Sequence, residues 1–465
     1  MQGIGWVASS TWSVQAVRLA TLTVLANLIA PDSFGFFAFA LAIFTIAQPV
    51  VGLGLSGAIV VVPKLEQDTV ATSLALTTIA ALLGMAFMGV GLSVMQMLDP
   101  QLAHLKAMGV MIPGLLLTNI ANVALAVPRR AKQFRQLGLA MLIAEAVGSA
   151  IGIAIAVSGA GMDALVWRYV STSAVMALIG LWLVRKHLTM PRPSSIRSLL
   201  DYGLPVGGSE LLTAVRNRGD ELFIGALFGA VVLGIYSIAR RYVDALRAAL
   251  PSVVGDHAWP VLASLRDHSA DFARQLRRSL LLIGAFAWPV FVALAALASL
   301  WVPIVLGAEW SQTVRVVQVL CLVAIIQSAV AIPVLATVGL GFTAARLRMD
   351  LVLTVVTVLA IAALSPLGMH GLLAAIFFAN LLVLPYQYRV VSRILPIPLR
   401  EVLPVLLLPL LTNVCLAVAL VLLVGSLPQT LGVWPTLLIG IALSGIVPLA
   451  ELVRRWTIAR RETPA

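Results

Sequence analysis

Charge is scarce in this sequence. Only 11% of its 465 residues are Asp, Glu, Lys or Arg, while 61% are hydrophobic, and the mean hydropathy is +1.04. A water-soluble globular domain is excluded by that balance. Cysteine is scarce too. Cys321 and Cys415 lie in separate apolar runs, which excludes a disulfide framework and leaves no metal site, so both read as packing residues. His104, His187, His257, His268 and His370 are scattered without ligand spacing. A G-x-x-x-x-G-K-[ST] phosphate loop is missing, so this chain has no such means of hydrolysing ATP.

What is present is a series of long apolar runs. Taking about 20 residues as one membrane crossing, spans are expected at 6–29, 35–61, 70–97, 106–127, 137–158 and 163–184. A second series falls at 203–228, 231–250, 279–305, 313–338, 350–367, 371–391, 403–424 and 433–453. The predicted fold is therefore an all-α polytopic membrane protein of about fourteen helices. The first run reaches Ala30, carries Arg18 in its middle and lacks a basic n-region, so it reads as a span and not as a cleaved leader.

The pair 203–228 and 231–250 is decided by the loops. With fourteen spans and both termini in the cytoplasm, most of the 31 Lys and Arg residues fall on the cytoplasmic side. They include Arg129, Arg130, Lys132, Arg135, Arg185, Lys186, Arg266, Arg274, Arg277, Arg278, Arg454 and Arg455, while the outer loops hold only Lys106. Merging the pair would throw the later basic loops outside. A hairpin near Gly229 is therefore predicted, and the net charge of +12 reports topology, not affinity for nucleic acid. Trp6, Trp301, Trp310, Trp434 and Trp456 near span ends suit the headgroup zone. The outer loops so predicted are all short, leaving no exposed domain for a polymerase or ligase site, and no enzyme is expected.

The basic, proline-bearing connection 185–198 divides the chain into a six-helix lobe at 1–190, a second at 191–400, and two further helices with a basic tail at 401–465. Short matches support a parallel repeat. Ala16-Val17-Arg18 matches Ala214-Val215-Arg216, Phe34-Gly35-Phe36-Phe37 resembles Leu233-Gly234-Ile235-Tyr236, and Gly161-Met162-Asp163-Ala164-Leu165 resembles Gly368-Met369-His370-Gly371-Leu372. Two facing lobes would enclose a central cavity.

Charges at membrane depth are costly and should face a wet or protein-lined interior. Arg18, Arg216, Arg218, Arg240 and Arg241 are the candidate anion ligands, since a guanidinium is always charged and can bond two phosphate oxygens at once. Glu145, Glu210, Asp220 and Glu221 are candidates for a coupling H⁺ or Na⁺, the only cofactor expected. Arg240, Asp244 and Arg247 share one helix face at i, i+4, i+7 spacing with Arg241 beside it, so that an anionic ligand would be held from several sides. The competing reading is structural: Arg216 with Asp220, and Arg218 with Glu221, are spaced to pair along a helix, and salt bridges between the lobes would take up the rest. Arg168 and Arg315 fall near span ends, where they can snorkel. Pro49, Gly52, Gly54, Gly57 and Pro251 allow bending.

Several stretches resemble a known family. Gly3-Ile4-Gly5-Trp6, Pro31-Asp32-Ser33-Phe34-Gly35-Phe36-Phe37-Ala38, Val51-Gly52-Leu53-Gly54-Leu55-Ser56, Gly159-Ala160-Gly161-Met162-Asp163-Ala164-Leu165-Val166 and Leu233-Gly234-Ile235-Tyr236-Ser237-Ile238-Ala239 are similar to motifs of the polysaccharide transporter, or Wzx-type oligosaccharide flippase, family of the multidrug/oligosaccharidyl-lipid/polysaccharide (MOP) flippase superfamily. These are backbone and packing motifs. The resemblance implies translocation of an undecaprenyl-diphosphate-linked oligosaccharide from the cytoplasmic to the periplasmic leaflet of a bacterial inner membrane, by alternating access, for O-antigen, capsule or exopolysaccharide assembly. It implies diphosphate contact by Arg18, Arg216 and Arg218, and polymerase and glycosyltransferases as neighbours in the pathway. A monomer is expected because the cavity would form within one chain. The alternatives are a multidrug or cation antiporter of the same superfamily, which should have a dominantly acidic cavity, a lipid II flippase, a membrane glycosyltransferase, and a scaffold.

Overall fold

The structure is a computed structural model. It describes residues 2–62, 67–98, 104–192, 196–265, 269–340, 342–395, 403–426 and 433–445, the side chains of 2–11, 104–106, 249–260 and a few single positions excepted. Every regular element among the described residues is helical. In chain order these are α1 (Gln2–Ala26), α2 (Pro31–Gly52), α3 (Leu55–Val61), α4 (Gln67–Leu98), α5 (His104–Arg130), α6 (Phe134–Val157), α7 (Met162–Leu183) and α8 (Ile196–Ser264). There follow α9 (Ser269–Ala296), α10 (Ala298–Val305), α11 (Thr313–Gly339), α12 (Thr343–Leu364), α13 (Gly368–Ile394), α14 (Leu407–Ser426) and α15 (Val433–Gly445).

Ten helical stretches are long and apolar enough to cross a membrane, and two shorter apolar helices, Trp12–Ala26 and Val433–Gly445, join them. Two of the ten, Ile196–Ala248 and Ala344–Ile394, exceed 50 residues. At about 1.5 Å per residue each would measure over 75 Å, far more than a hydrocarbon core of about 30 Å, so each holds two crossings. The total agrees with the fourteen expected spans. Phe87 (82% exposed), Leu83 and Leu178 (both 68%) show the same solvent in another way: large apolar side chains face outward, as lipid contact requires. The protein is a multi-pass membrane protein.

The predicted reversal at Gly229 is present. Gly229 holds φ 80° and ψ 178°, a conformation open essentially to glycine alone. A Cβ on Gly225 would lie 3.0 Å from Leu233 Cδ2, although a straight helix would set those residues about 12 Å apart. The chain therefore folds back within α8.

The described residues form two compact units, Met1–Gly234 and Ile235–Ala465. The expected lobe boundary at 190/191 falls inside the first unit, and glycine contacts supply the physical reason. The first arm of α8, residues 196–228, runs antiparallel along α2 with backbone against backbone. At one end, a Cβ on Gly35 would lie 1.7 Å from the Ala230 carbonyl oxygen, and one on Gly234 would lie 1.9 Å from that of Pro31. About one turn further along, Gly225 meets the Phe39 ring. At the other end, α2 stops at Leu53 (φ 50°) and Gly54 (φ 62°) before restarting as α3, and Gly203 and Gly207 close directly on that break. In lipid, where helices gain little from burying oil against oil, such small-residue contacts are what bind helix to helix. The motif glycines are therefore the seam that fixes α8 to α2.

Within the first unit α4 packs on α5, α5 on α7, α6 on α7 and α1 on α6. Within the second, α9 packs on α11, α11 on α13 and α12 on α13, the order a parallel repeat demands. Gly161 opens α7 at φ 51° and ψ −120°, and Gly368 opens α13 at φ 61° and ψ −141°. Those are the two glycines that the repeat aligns. Each unit also carries a polar pair between equivalent helices: Thr118 Oγ1 to Ser173 Oγ at 2.9 Å, and Gln327 Nε2 donating to Asn380 Oδ1 at 2.8 Å.

Trp310 departs from its expected place at the headgroup level. It is buried at 1% exposure in a 3₁₀ turn, whereas Trp434 is 65% exposed as an anchor should be. Trp301 is half-buried, donates Nε1–H to the Leu294 carbonyl at 3.1 Å and packs against Tyr242. The Trp6 side chain, Lys64, Arg266, Trp456 and the basic tail lie outside what the structure describes.

Candidate functional site

The first unit carries one charged cluster that spans three helices. Arg18 sits on α1, which packs along α6 and so meets Glu145 near the middle of that helix. Arg18 donates Nε–H to Glu145 Oε2 at 2.8 Å, and Arg168 of α7 donates from Nη2 to Glu145 Oε1. The Glu145 side chain is only 4% exposed, Arg168 is 17% exposed, and Arg18, at 53%, is open. A carboxylate so buried would be strongly destabilising unless paired, and here each oxygen has its own guanidinium. Two positive groups share one negative group, so the cluster keeps a surplus of one positive charge.

Arg168 was expected to snorkel at the end of its span. It turns inward instead, because Gly148 and Gly152 clear a track for α7 along α6. A Cβ on Gly148 would lie 1.9 Å from Thr172 Oγ1, and one on Gly152 would lie 2.8 Å from Arg168 Cβ. This four-residue glycine spacing was a legible signal for close helix packing, and it is what points Arg168 at Glu145. One turn further on, Thr118 lies 3.4 Å from the Tyr169 hydroxyl and 2.9 Å from Ser173.

On the first arm of α8, Arg218 Nη1 pairs with Glu221 Oε1 at 2.6 Å, with Glu221 buried. Arg216 is half-buried and donates Nε–H to its neighbour Asn217 at 3.2 Å. Asp220 is half-buried and has partners of its own. Glu210 is different. It is exposed, forms no ion pair among the described residues, and its Oε1 lies 3.8 Å from where a Cβ on Gly57 would stand, beside the break between α2 and α3. Arg130 reaches the same region and donates to the carbonyls of Ile59, Val60 and Val62, capping the free end of α3.

In the second unit the helical spacing at Arg240 is realised as pairing. Arg240 donates Nε–H to Asp244 Oδ2 at 3.2 Å, and Arg247 donates from Nη2 to Asp244 Oδ1 at 2.9 Å. Arg247 Nη1 reaches Gln327 on α11, which in turn bonds Asn380 on α13. Arg240 also lies over the Tyr236 ring, 5.9 Å from its centroid. Arg241 is half-buried and partnered. Gln327 and Asn380, which carry the cluster across three helices, were not singled out in the sequence, since uncharged amides give no signal above the background of a membrane helix.

The chain matches, over residues 24–315, the family described as polysaccharide biosynthesis protein. It belongs to that family. It is 25% identical over 330 residues to the succinoglycan biosynthesis transport protein ExoT of Rhizobium meliloti (strain 1021), covering 69% of this chain and 65% of that protein. It is 21% identical over 346 residues to the lipopolysaccharide biosynthesis protein WzxC of Escherichia coli (strain K12), covering 70% of this chain and 67% of that protein. The matched part thus spans about two thirds of the length of these relatives. In structure the chain resembles the lipid II flippase MurJ in an inward closed conformation, with a TM-score of 0.75 at 13% identity over 97% of this chain and 99% of that one. It also resembles an inward-facing multidrug resistance MATE family transporter of the MOP superfamily, with a TM-score of 0.63 at 15% identity over 83% of this chain and 98% of that one. These likenesses place the polysaccharide biosynthesis chain in the all-α fold shared by such transporters.

Proposed function

We propose that this member of the polysaccharide biosynthesis family is a flippase of the bacterial inner membrane, with both termini in the cytoplasm. It moves an undecaprenyl-diphosphate-linked oligosaccharide repeat from the cytoplasmic to the periplasmic leaflet, by alternating access, for O-antigen, capsule or exopolysaccharide assembly. Its work is transport, with no covalent chemistry. The observation that carries this reading is the Arg18, Glu145 and Arg168 cluster: a surplus positive charge held at membrane depth on a helix face where Arg18 stays open. An anionic head group gives that charge a purpose, whereas export of a cation would place the opposite sign there. The names of ExoT and WzxC, a transport protein and a lipopolysaccharide biosynthesis protein, support the same reading.

In this reading Arg18, Arg216 and Arg218 contact the diphosphate, and Arg240 and Arg241 are further anion-contacting candidates. Coupling to H⁺ or Na⁺ falls to Glu210, since Glu145 and Glu221 are already held by arginines and Asp220 is partnered. Polysaccharide polymerase and glycosyltransferases would act before and after it on the same lipid.

The test is leaflet transfer of a labelled undecaprenyl-diphosphate oligosaccharide in liposomes, at equal folded protein. Wild type is expected to transfer the lipid, and Arg18→Ala to lose at least about tenfold, the scale of one charge-assisted contact. Wild type that moves none of several such lipids yet exports organic cations overturns the proposal in favour of an antiporter.

A further inference from the structure

We propose that the segment 185–192, which leaves α7 and crosses one end of the first unit, is a dock for anionic phospholipid head groups of the surrounding bilayer. This role goes beyond transport and holds whatever cargo the protein carries.

The segment lies at head-group depth. α7 has 22 residues, about 33 Å at 1.5 Å per residue, which spans a hydrocarbon core of about 30 Å. The chain after Leu183 therefore emerges at the boundary of that core. It does not continue outward. Val184 is fully buried in an apolar cluster with Val123 and Ala126 of α5, Val70 and Leu74 of α4, and Leu199 of α8. A 3₁₀ turn at Arg185–His187 then packs on α4. The far end is tied by Arg192, whose backbone N–H donates to Thr72 Oγ1 at 3.0 Å and whose Nη1 lies 3.4 Å from Asp68 Oδ2, both in the first two turns of α4. A segment fastened at both ends to helix termini runs along the membrane surface.

The side chains between the fastenings alternate in kind. Leu188 and Met190 are exposed, Met190 to 87%, although they lie beyond the end of a span. Arg185 and Lys186 are exposed as well and form no ion pair among the described residues. Arg185 lies over the exposed Trp182 ring, 4.4 Å from its centroid, and donates from Nη1 to the Trp182 carbonyl at 3.1 Å. That contact holds its charge at the level an indole takes in the head-group zone. Apolar side chains interleaved with basic ones are the composition of interfacial anchors.

The neighbouring turn between α5 and α6 adds charge of the same sign. α5 and α7 run side by side in the same direction, with Ala124 against Gly180, so they end together. Arg129, Lys132 and Arg135 are exposed in that turn, with Phe134 among them. Among the described residues the carboxylates at this end are Asp68, which already pairs with Arg192, and Asp201. Each basic side chain beside an anionic leaflet strengthens attachment by roughly fivefold. A soluble acidic partner would feel the same charge. Leu188 and Met190 favour the bilayer, which alone sets an apolar layer directly beneath its charged one.

The test reads which lipid touches the segment. Full-length protein carrying Thr189→Cys with Cys415→Ala is labelled at position 189 with an environment-sensitive fluorophore, since Thr189 is exposed and Cys321 is buried. It is reconstituted in equimolar phosphatidylglycerol and phosphatidylcholine vesicles, with one lipid or the other brominated near the head-group end of its acyl chains. Both are expected to quench, with phosphatidylglycerol preferred at least about fivefold. The preference should fall toward parity in about 1 M salt. Arg185→Gln with Lys186→Gln should lower it by at least about fivefold, whereas Arg185→Lys with Lys186→Arg should stay within about twofold of the parent. Leu188→Ser with Met190→Ser should weaken quenching by both lipids alike.

Equal quenching by the two lipids, or a preference that survives removal of both charges, overturns the proposal. So does a preference lost in the charge-keeping variant, since side-chain shape and not charge would then carry it. A label that neither lipid quenches and that soluble poly-glutamate shields also overturns it, in favour of an acidic protein partner. Thermal melts establish that folded proteins are compared. Leaflet transfer in the same vesicles tests the flippase reading separately, since either result can hold without the other.

Discussion

Gly35 of α2 lies so close to Ala230 of α8 that a Cβ added to Gly35 would stand 1.7 Å from the Ala230 carbonyl oxygen. No side-chain rotation relieves a clash with backbone, so the helices themselves must part. Gly35→Ala is expected to destabilise the protein by about 1–3 kcal/mol or more, as overpacking does. The readout is the melting temperature in detergent. Gly89→Ala, where nothing lies within 4 Å, is the matched control and should melt at or slightly above the wild-type temperature.

The reversal at Gly229 makes a second prediction. Its φ of 80° with ψ of 178° is closed to residues with a Cβ, although there is open space around it. Gly229→Ala should cost about 1–3 kcal/mol through backbone strain alone. Gly208→Ala is a fair comparison because it too meets no neighbour and its φ is not positive. A variant at 229 that melts like wild type would mean that the chain does not turn there as described.

Glu145 should matter more to stability than Arg18 does. Glu145→Gln removes the charge that neutralises a buried Arg168, and breaking a buried pair in this way costs about 3 kcal/mol. Arg18→Gln leaves Glu145 paired with Arg168, and its own exposed half of the pair is worth under about 1 kcal/mol. Chemical denaturation of the two variants side by side measures the difference, and equal effects would contradict the asymmetry in burial.

A fourth prediction concerns the second unit, where Trp288 Nε1–H donates to Ser328 Oγ at 2.8 Å and both residues are buried. Ser328→Ala leaves the indole N–H without an acceptor and should cost about 1–3 kcal/mol. Melting of the variant checks the cost. Ser158→Ala, at an exposed hydroxyl bonded only to its own helix, should change stability by less than about 0.5 kcal/mol.

The spans and the turn at Gly229 were legible because lipid imposes a length on each apolar run and because Lys and Arg sort by side. Arg218 with Glu221 was legible as well, since partners three or four residues apart on one helix are fixed by helical geometry, whereas the shared face of Arg240, Asp244 and Arg247 was read as a place for an anion and proves to be paired within itself. The partner of Arg18 was not, because Glu145 lies 127 residues further on and nothing local selects it from other carboxylates. Arg168 was misplaced for a related reason: its depth in the membrane could be guessed, but the direction of its side chain depends on how closely α6 and α7 approach. Trp310 likewise had the position of an anchor and the burial of a core residue.

The sequence by itself determined the number of membrane crossings, the parallel repeat and the family, because all three are written in apolar run length, charge distribution and short glycine motifs. Only the tertiary structure decided which charges neutralise one another and which arginine stays open. Pairing across helices depends on backbone separations of a few ångströms, set here by Gly148 and Gly152 along α7. At that range in a low-dielectric interior, whether a carboxylate sits between two guanidiniums or beside one separates a surplus positive charge from a neutral pair.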